Sequence, residues 1–162
     1  MSRLATALLL SVALAGCGFQ LRGDAASGLQ AVHVSAEGAS GVAVEMRRML
    51  AATPSGLATQ AKDAQLHLRV LSETTEKSIQ TLTSAGRVYD YLLRLRVRYR
   101  ITDAAGNELI SPTELELRRV ITYSESAPLA KEAEERLLLD DMRGDAAARI
   151  LRRVAIFRAS AK

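Results

Sequence analysis

Residues 89–101 read YDYLLRLRVRYRI, with Gly86 before them and an Asp103–Asn107 turn after them. Every odd-numbered position in this stretch is apolar or aromatic. The even-numbered positions include four arginines, Arg94, Arg96, Arg98 and Arg100. Successive side chains of a strand point to opposite faces, so a period of two predicts a half-buried β-strand, whereas a helix would scatter the arginines around its circumference. The stretch therefore predicts one long strand with an apolar face and a basic face.

Residues on either side predict the other elements of a single domain at residues 29–160. Alternating apolar positions predict strands at 29–35, 64–71 and 109–123, and the polar run Ser72–Lys77 is expected to extend the second of them with both faces exposed. A helix is predicted from Val42 to Ala52, capped by Ser40. A last helix of about 28 residues starts at Pro128, with a weak point at Gly144. Its predicted inward stripe is Ala130, Ala133, Leu137, Ile150, Val154 and Phe157.

The order of these elements, β-α-β-β-β-α, predicts an α+β fold. We expect a two-layer sandwich in which a four-stranded sheet carries both helices on one face, because the apolar side of the long strand must be covered. The last helix, at about 42 Å, is close in length to the long strand, at about 40 Å. One sheet and one helical layer therefore account for the whole domain.

Residues 1–16 predict a cleaved lipoprotein signal peptide. Arg3 precedes an apolar stretch, Leu4–Leu14, which is too short to cross a bilayer core of about 30 Å but suits a secretory signal. The sequence Leu14-Ala15-Gly16-Cys17 matches the bacterial lipobox. This resemblance implies cleavage before Cys17 and attachment of diacylglycerol and acyl groups to that cysteine.

Residues 17–28 then form the predicted lipidated anchor segment. Cys17 is the only cysteine, so no intramolecular disulfide can form. Gly18 stands where an aspartate would mark the inner membrane, and this resembles an outer-membrane address. Phe19 and Leu21 place apolar side chains next to the lipid, so this segment is expected to dock on a partner.

Catalytic, metal and nucleic-acid signatures are weak or missing. The sequence holds no P-loop, no Cys-x-x-Cys and no His-Glu-x-x-His, and His33 and His67 fall in different predicted strands without a local ligand partner. RNA-binding sheets stack bases on exposed aromatic side chains, whereas the tyrosines of the long strand lie opposite its arginines. We therefore predict a protein that is not an enzyme, holds no metal or cofactor and binds no nucleic acid.

Three groups of residues follow one another along the chain: Cys17-Gly18-Phe19-x-Leu21-Arg22-Gly23, then Tyr89-Asp90-Tyr91 with Arg118-Arg119, and finally Leu129-Ala130-Lys131 with Glu134-Glu135 and Asp141-Met142. In this order they resemble the LPS-assembly lipoprotein family, LptE, of the Gram-negative outer membrane. The resemblance implies a lipid-anchored outer-membrane protein that plugs the β-barrel LptD. It also implies help in assembling that barrel and in inserting lipopolysaccharide into the outer leaflet.

The resemblance further implies a ligand-facing tip, formed by the loop before the long strand and the start of the last helix. On that basis the candidate lipopolysaccharide-binding residues are Arg87, Lys131 and Arg119. Relatives often carry a basic residue where this chain has Ser84. Arg94, Arg96, Arg98 and Arg100 are expected to meet Glu114, Glu116 and the barrel wall, because a barrel lumen is polar.

A second interpretation stays open. The chain fits a periplasm-facing lipoprotein subunit of another envelope assembly or transport complex, in which the sheet docks a different protein. Co-purification with a barrel separates the two interpretations.

Overall fold

A computed structural model of the chain describes residue 26 and the ranges 28–124 and 128–160. The predicted signal peptide lies outside the described residues. So do Cys17, Phe19 and Leu21, whose predicted acylation and docking stay predictions.

The elements follow the predicted order, β-α-β-β-β-α, and the predicted α+β class is confirmed. A short 3-10 turn, Ala61–Asp63, precedes the second strand. The elements are β1 (Val32–Ala36), α1 (Gly41–Ala51), β2 (Leu66–Leu82), β3 (Val88–Asp103), β4 (Glu108–Thr122) and α2 (Pro128–Ser160).

The four strands form one mixed sheet in the order β1-β2-β3-β4. β1 runs parallel to β2, and the two remaining pairs are antiparallel. The stretch at 89–101 lies within β3, as predicted, and its apolar face is buried from Leu93 onward, whereas Tyr89 is 51% exposed. The most buried residues of β3 are Leu93, Leu95, Val97, Tyr99 and Ile101, each at most 2% exposed. Neither helix in the described part of the chain is long and apolar enough to traverse a bilayer.

α1 begins as the sequence predicts. The Ser40 hydroxyl accepts a hydrogen bond from the Ala43 amide, and Val42, Met46 and Leu50 are buried against the sheet. An oxygen-bearing side chain at this position satisfies one of the amides that a helix start leaves unpaired.

The run Ser72–Lys77 extends β2 with both faces largely exposed, as predicted, and only Glu73 departs from that expectation. The pairing of β2 with β3 shifts register between Val70 and Ser72, so one extra residue, Leu71, is inserted. Such a bulge exchanges the two faces of a strand, because side chains alternate with a period of two. Beyond it, the odd-numbered residues lie opposite the buried positions of β3, and Glu73 and Lys77 face the helices.

α2 also departs from the prediction. It continues without interruption through Gly144 to Ser160, and Leu137 is 72% exposed. Thirteen residues separate Leu137 from Ile150, a rotation of about 220° at 3.6 residues per turn. The two side chains could share a face only if the helix bent between them, so the predicted stripe was wrong in its first half, where Ala130 is exposed too. The buried residues of α2 are Met142, Ala146, Ala147, Ile150, Leu151 and Val154.

Candidate functional site

A small cleft lies between the start of α2 and the parts of β2, β3 and β4 that approach the β2–β3 turn. Its volume is about 120 Å³. Strand and helix both contribute charged groups to it, and aromatic rings form one wall. The lining residues are Lys77, Tyr91, Ile121, Thr122, Tyr123, Pro128, Lys131, Glu132 and Glu135. We refer to this region as the tip cleft.

Two ammonium groups face the tip cleft, and each has a carboxylate partner on α2. Lys77 Nζ lies 2.5 Å from Glu135 Oε2, and Lys131 Nζ lies 2.8 Å from Glu134 Oε2. The Lys131 side chain is 26% exposed. An incoming phosphate would therefore compete with these carboxylates for the lysines rather than meet bare charges.

The aromatic wall comes from two strands. The rings of Tyr91 and Tyr123 are 5.6 Å apart and meet edge to face at 87°, a favourable arrangement for aromatic pairs. Lys77 Nζ lies 4.4 Å from the centre of the Tyr91 ring, within the range of a cation–π contact. Cations beside apolar rings suit a ligand that is both anionic and amphipathic.

Arg87 lies in the turn between β2 and β3, at the same end of the molecule as Lys131. The Thr83 amide donates to the Arg87 carbonyl at 2.7 Å, and the Arg87 amide donates to the Thr83 hydroxyl at 3.1 Å. Gly86 supplies the positive φ of 76° that closes this turn. The structure thus brings the turn of Arg87 and the start of α2 to one tip, although 44 positions separate Arg87 from Lys131 in the sequence.

Arg119 occupies a different setting. It lies opposite Leu93 in the β3–β4 pairing, so its side chain points toward the helical layer. Its guanidinium is 2.7 Å from the carboxylate of Asp145 on α2. This contact joins the edge strand to the helix, and it gives Arg119 a structural role. Arg119 precedes Ile121 of the tip cleft by two residues on β4.

The basic face of β3 lies on the side of the sheet that the helices leave open. Arg96 donates to Glu116 at 2.8 Å, and Arg94 lies 3.1 Å from Glu76. Arg118 also pairs with Glu116. Hydrogen bonds from Arg96 and Arg118 hold the pKa of Glu116 below its ordinary value. The expected pairing of the arginines with Glu116 is thus present, and Glu76 of the extended β2 adds a second carboxylate.

The other two arginines of this face take less part in ion pairs. Arg98 is exposed and stands opposite Ser72 on one side and Glu114 on the other, while Arg100 is half-buried. We refer to the side of the sheet that carries these arginines and glutamates as the open face. It carries guanidinium and carboxylate groups side by side, and this arrangement suits a polar protein surface as a partner.

Two residues that the sequence separates are neighbours in the sheet. His33 of β1 and His67 of β2 are directly paired, and their rings are 6.0 Å apart. No cluster of three or more His, Cys, Asp or Glu side chains suited to a metal ion occurs within the described ranges. The pair is thus a feature of the open face that sequence reasoning did not foresee, because the parallel pairing of β1 with β2 creates it.

Comparison with known proteins identifies the fold and its family. The family profile described as lipopolysaccharide-assembly, LptE, matches residues 29–154. No curated protein sequence matches the chain significantly.

Solved structures of lipoproteins share the architecture. A lipoprotein B from Nitrosomonas europaea has 31% sequence identity and a TM-score of 0.74, over 88% of this chain and 93% of that one. The rare lipoprotein B from Shewanella oneidensis has 27% identity and a TM-score of 0.69, over 80% and 96% of the two chains. A minor lipoprotein from Acinetobacter baumannii has 25% identity and a TM-score of 0.62, over 80% and 95%.

Proposed function

Because this chain belongs to the LptE family of lipopolysaccharide-assembly proteins, we propose that it plugs an LptD-type β-barrel of the outer membrane. In this role it helps the barrel to assemble and assists the insertion of lipopolysaccharide into the outer leaflet. It acts as an assembly factor and not as an enzyme, anchored to the outer membrane through acyl groups on Cys17.

The open face is the feature that best supports a place inside a barrel. Barrel lumens are polar, and this face presents guanidinium and carboxylate groups side by side, with Arg96 and Glu116 only 2.8 Å apart. Interleaved charges of both signs can exchange partners with a polar wall without leaving one sign buried alone. The length of β3, 16 residues or about 50 Å, gives the plug enough extent to follow the lumen.

The tip supports contact with lipopolysaccharide. Lipid A phosphates and inner-core sugars are anionic, and lysine and arginine form strong charge-assisted bonds with such groups. Lys131 of the tip cleft and Arg87 of the adjacent turn are the candidates for that contact, with Lys77 as a neighbour that the sequence did not indicate. Arg119, which pairs with Asp145, is assigned mainly to holding β4 against α2.

The experiment that tests this function is recovery of the protein, with its barrel, from solubilised outer membranes. An affinity tag after Lys162 leaves the anchor segment untouched. We expect an LptD-type barrel in equimolar amount, and we expect a variant with Arg96→Glu and Arg98→Glu on the open face to recover less of it. The matched control carries Arg47→Glu and Arg48→Glu on α1, on the opposite side of the molecule.

Two results would contradict the proposal. Recovery of a different envelope complex in equimolar amount would assign the chain to the other interpretation, a periplasm-facing subunit of that complex. Depletion of the protein that leaves both the folded barrel and surface lipopolysaccharide unchanged would also contradict it.

A further inference from the structure

The end of α2 opposite the tip cleft carries a concentration of positive charge. After Asp145 the helix contains Arg149, Arg152, Arg153 and Arg158 and no acidic residue. Arg149 is exposed and Arg152 half-exposed, and within the described ranges neither forms an ion pair. Arg143, nearer the middle of α2, is instead paired with Glu73 at 3.1 Å.

Apolar side chains accompany these arginines. Ile156 is 69% exposed and Phe157 is 37% exposed. Arg149, Arg152 and Ile156 stand at i, i+3 and i+7, so they share one helix face, turned away from the buried Ile150 and Val154. We refer to Arg149, Arg152 and Ile156 as the basal patch, and Phe157, three positions after Val154, lies on the buried side of the helix. Basic residues around exposed apolar side chains are typical of helices that rest in a membrane interface.

The basal patch lies at the end of the sheet where the chain enters from its N-terminus. Arg158 donates to the side-chain oxygen of Gln65 at 3.1 Å, just before β2. The neighbouring residue Leu66 pairs with Val32, the first residue of β1. From Cys17 to Ala26 there are nine residue steps, which reach at most about 30 Å. An acyl anchor on Cys17 therefore keeps this end of the molecule near the bilayer.

We propose that the basal patch binds the anionic headgroups of the phospholipid surface into which the anchor inserts. Arg149 and Arg152 bind lipid phosphates, and Ile156 enters the interface. This second contact fixes the orientation of the protein, with this end of the molecule at the membrane surface and the tip cleft about 38 Å away along α2, since Lys131 and Ile156 are 25 residues apart on that helix. This inference goes beyond the proposed function. It rests on the proposed function only for the position of the acyl anchor.

The chemistry favours a lipid surface over the wall of a protein. The open face has both signs of charge, with Glu76 and Glu116 among its arginines, whereas the basal patch has one sign only. Each arginine close to a uniformly anionic membrane surface increases the partitioning of the protein onto that membrane about fivefold. Two arginines together therefore contribute a factor of about 30.

Fluorescence offers a direct test, because the chain contains no tryptophan. An Ile156→Trp variant of the full-length protein is mixed with vesicles of phosphatidylcholine and brominated phosphatidylglycerol. We expect quenching and a blue shift, both weakened by salt. Val44→Trp, on the exposed side of α1 where Val44 is 53% exposed, serves as the control and should stay unquenched. Adding Arg149→Gln and Arg152→Gln should weaken both the quenching and the blue shift, because the acyl anchor still holds the protein on the vesicle while the patch no longer binds the headgroups.

A charge-matched control variant combines Arg98→Gln with Arg136→Gln, two exposed arginines outside the basal patch. It should bind the vesicles as the parent does. Equal quenching by brominated phosphatidylcholine alone would overturn the proposal, as would an absence of quenching in the Ile156→Trp variant. Loss of quenching when the barrel is reconstituted alongside would instead assign the patch to that protein. The intact mass of the same preparation reports acylation of Cys17 separately, so a failure of the anchor is distinguishable from a failure of the patch.

Discussion

Glu73 of β2 pairs with Arg143 of α2, with Oε1 and Nε 3.1 Å apart, and the Glu73 side chain is only 7% exposed. The other carboxylate oxygen of Glu73 accepts hydrogen bonds from the Ser40 hydroxyl at 2.7 Å and the Val42 amide at 2.9 Å. One side chain thus joins the sheet, the N-terminus of α1 and the middle of α2. A carboxylate at a helix N-terminus also interacts favourably with the helix dipole.

Replacing Glu73 by Ala should lower the free energy of unfolding by about 2–3 kcal/mol, because α1 loses a capping acceptor and Arg143 loses its partner. The control is Glu76→Ala, three residues further along β2, where the side chain is 50% exposed and the expected cost is below about 1 kcal/mol. Urea denaturation of both variants measures the difference. Equal costs would show that the Glu73 network contributes no more than an exposed ion pair.

Replacement by alanine should affect the stability of the protein differently at two glycines. A Cβ on Gly41 would lie 2.6 Å from Arg143 Cδ, whereas a Cβ on Gly144 has nothing within 4 Å. Gly144→Ala should stabilise the protein by about 0.5–1 kcal/mol, since alanine has the higher helix propensity. Gly41→Ala should show no such gain, because the arginine must move away from Glu73. Thermal melting of the pair checks this, and stabilisation by both substitutions would be inconsistent with the close packing of Arg143 on Gly41.

Charge reversal at the tip should weaken lipopolysaccharide binding. Lys131→Glu and Arg87→Glu should each raise the dissociation constant about 10- to 100-fold, the loss expected for one bond between charged groups. Binding of purified lipopolysaccharide to the full-length protein measures it. Arg136→Glu, at an exposed position of the same helix, is the control and should bind normally. Unchanged affinity in both tip variants would remove Arg87 and Lys131 from the candidate site.

The open face should contribute to the pH dependence of stability. Hydrogen bonds from Arg96 and Arg118 lower the pKa of Glu116 from an ordinary value of 4.5. A carboxylate whose pKa is lower in the folded state than in the unfolded state stabilises the protein. The stabilisation is complete at pH values above the unfolded-state pKa, and it is lost as the pH falls through the folded-state pKa. Between about pH 6 and about pH 3, Glu116→Gln should therefore lose less thermal stability than the parent.

Glu114 provides the comparison for that experiment. It lies two residues from Glu116 on the same strand, and it forms no ion pair within the described part of the chain. Glu114→Gln should follow the parent across the same pH interval. A parallel loss in all three proteins would mean that the Arg96–Glu116 pair does not contribute to acid sensitivity.

Which side chains of α2 are buried can be checked directly. Leu137→Ser should change the free energy of unfolding by no more than about 0.5 kcal/mol, because the side chain is 72% exposed. Met142→Ala should cost about 2–5 kcal/mol, because Met142 is fully buried. Chemical denaturation compares the two. A large cost at Leu137 would mean that this side chain is covered in the folded protein.

Local patterns foretold much of this fold. The strict alternation at 89–101 predicted β3 and its buried face, and Ser40 predicted the start of α1. Both signals act over a few residues, where backbone geometry and hydrogen bonding are decided by near neighbours. Membership of the LptE family was likewise foreseen from short motifs in order.

The candidate site was harder to foresee. Arg87 and Lys131 came from family resemblance, and the structure places them at one tip. Lys77 and Tyr123 could not be found in this way, because the first faces the tip cleft only after the bulge at Leu71 and the second joins it only through the pairing of β4 with β3. Residues that meet through a change of register leave no regular spacing in the sequence.

The sequence by itself thus determined the type and order of the elements, the long half-buried strand and the segregation of arginines to one side of it. These follow from periodicity, which any short segment carries on its own. Only the tertiary structure decided which face Glu73 and Lys77 adopt, which half of α2 is buried, and that Arg94 and Arg96 share the carboxylates of Glu76 and Glu116. Those outcomes depend on the register between strands and on the path of a straight helix across the sheet, and both are set by the packing of segments far apart in the chain.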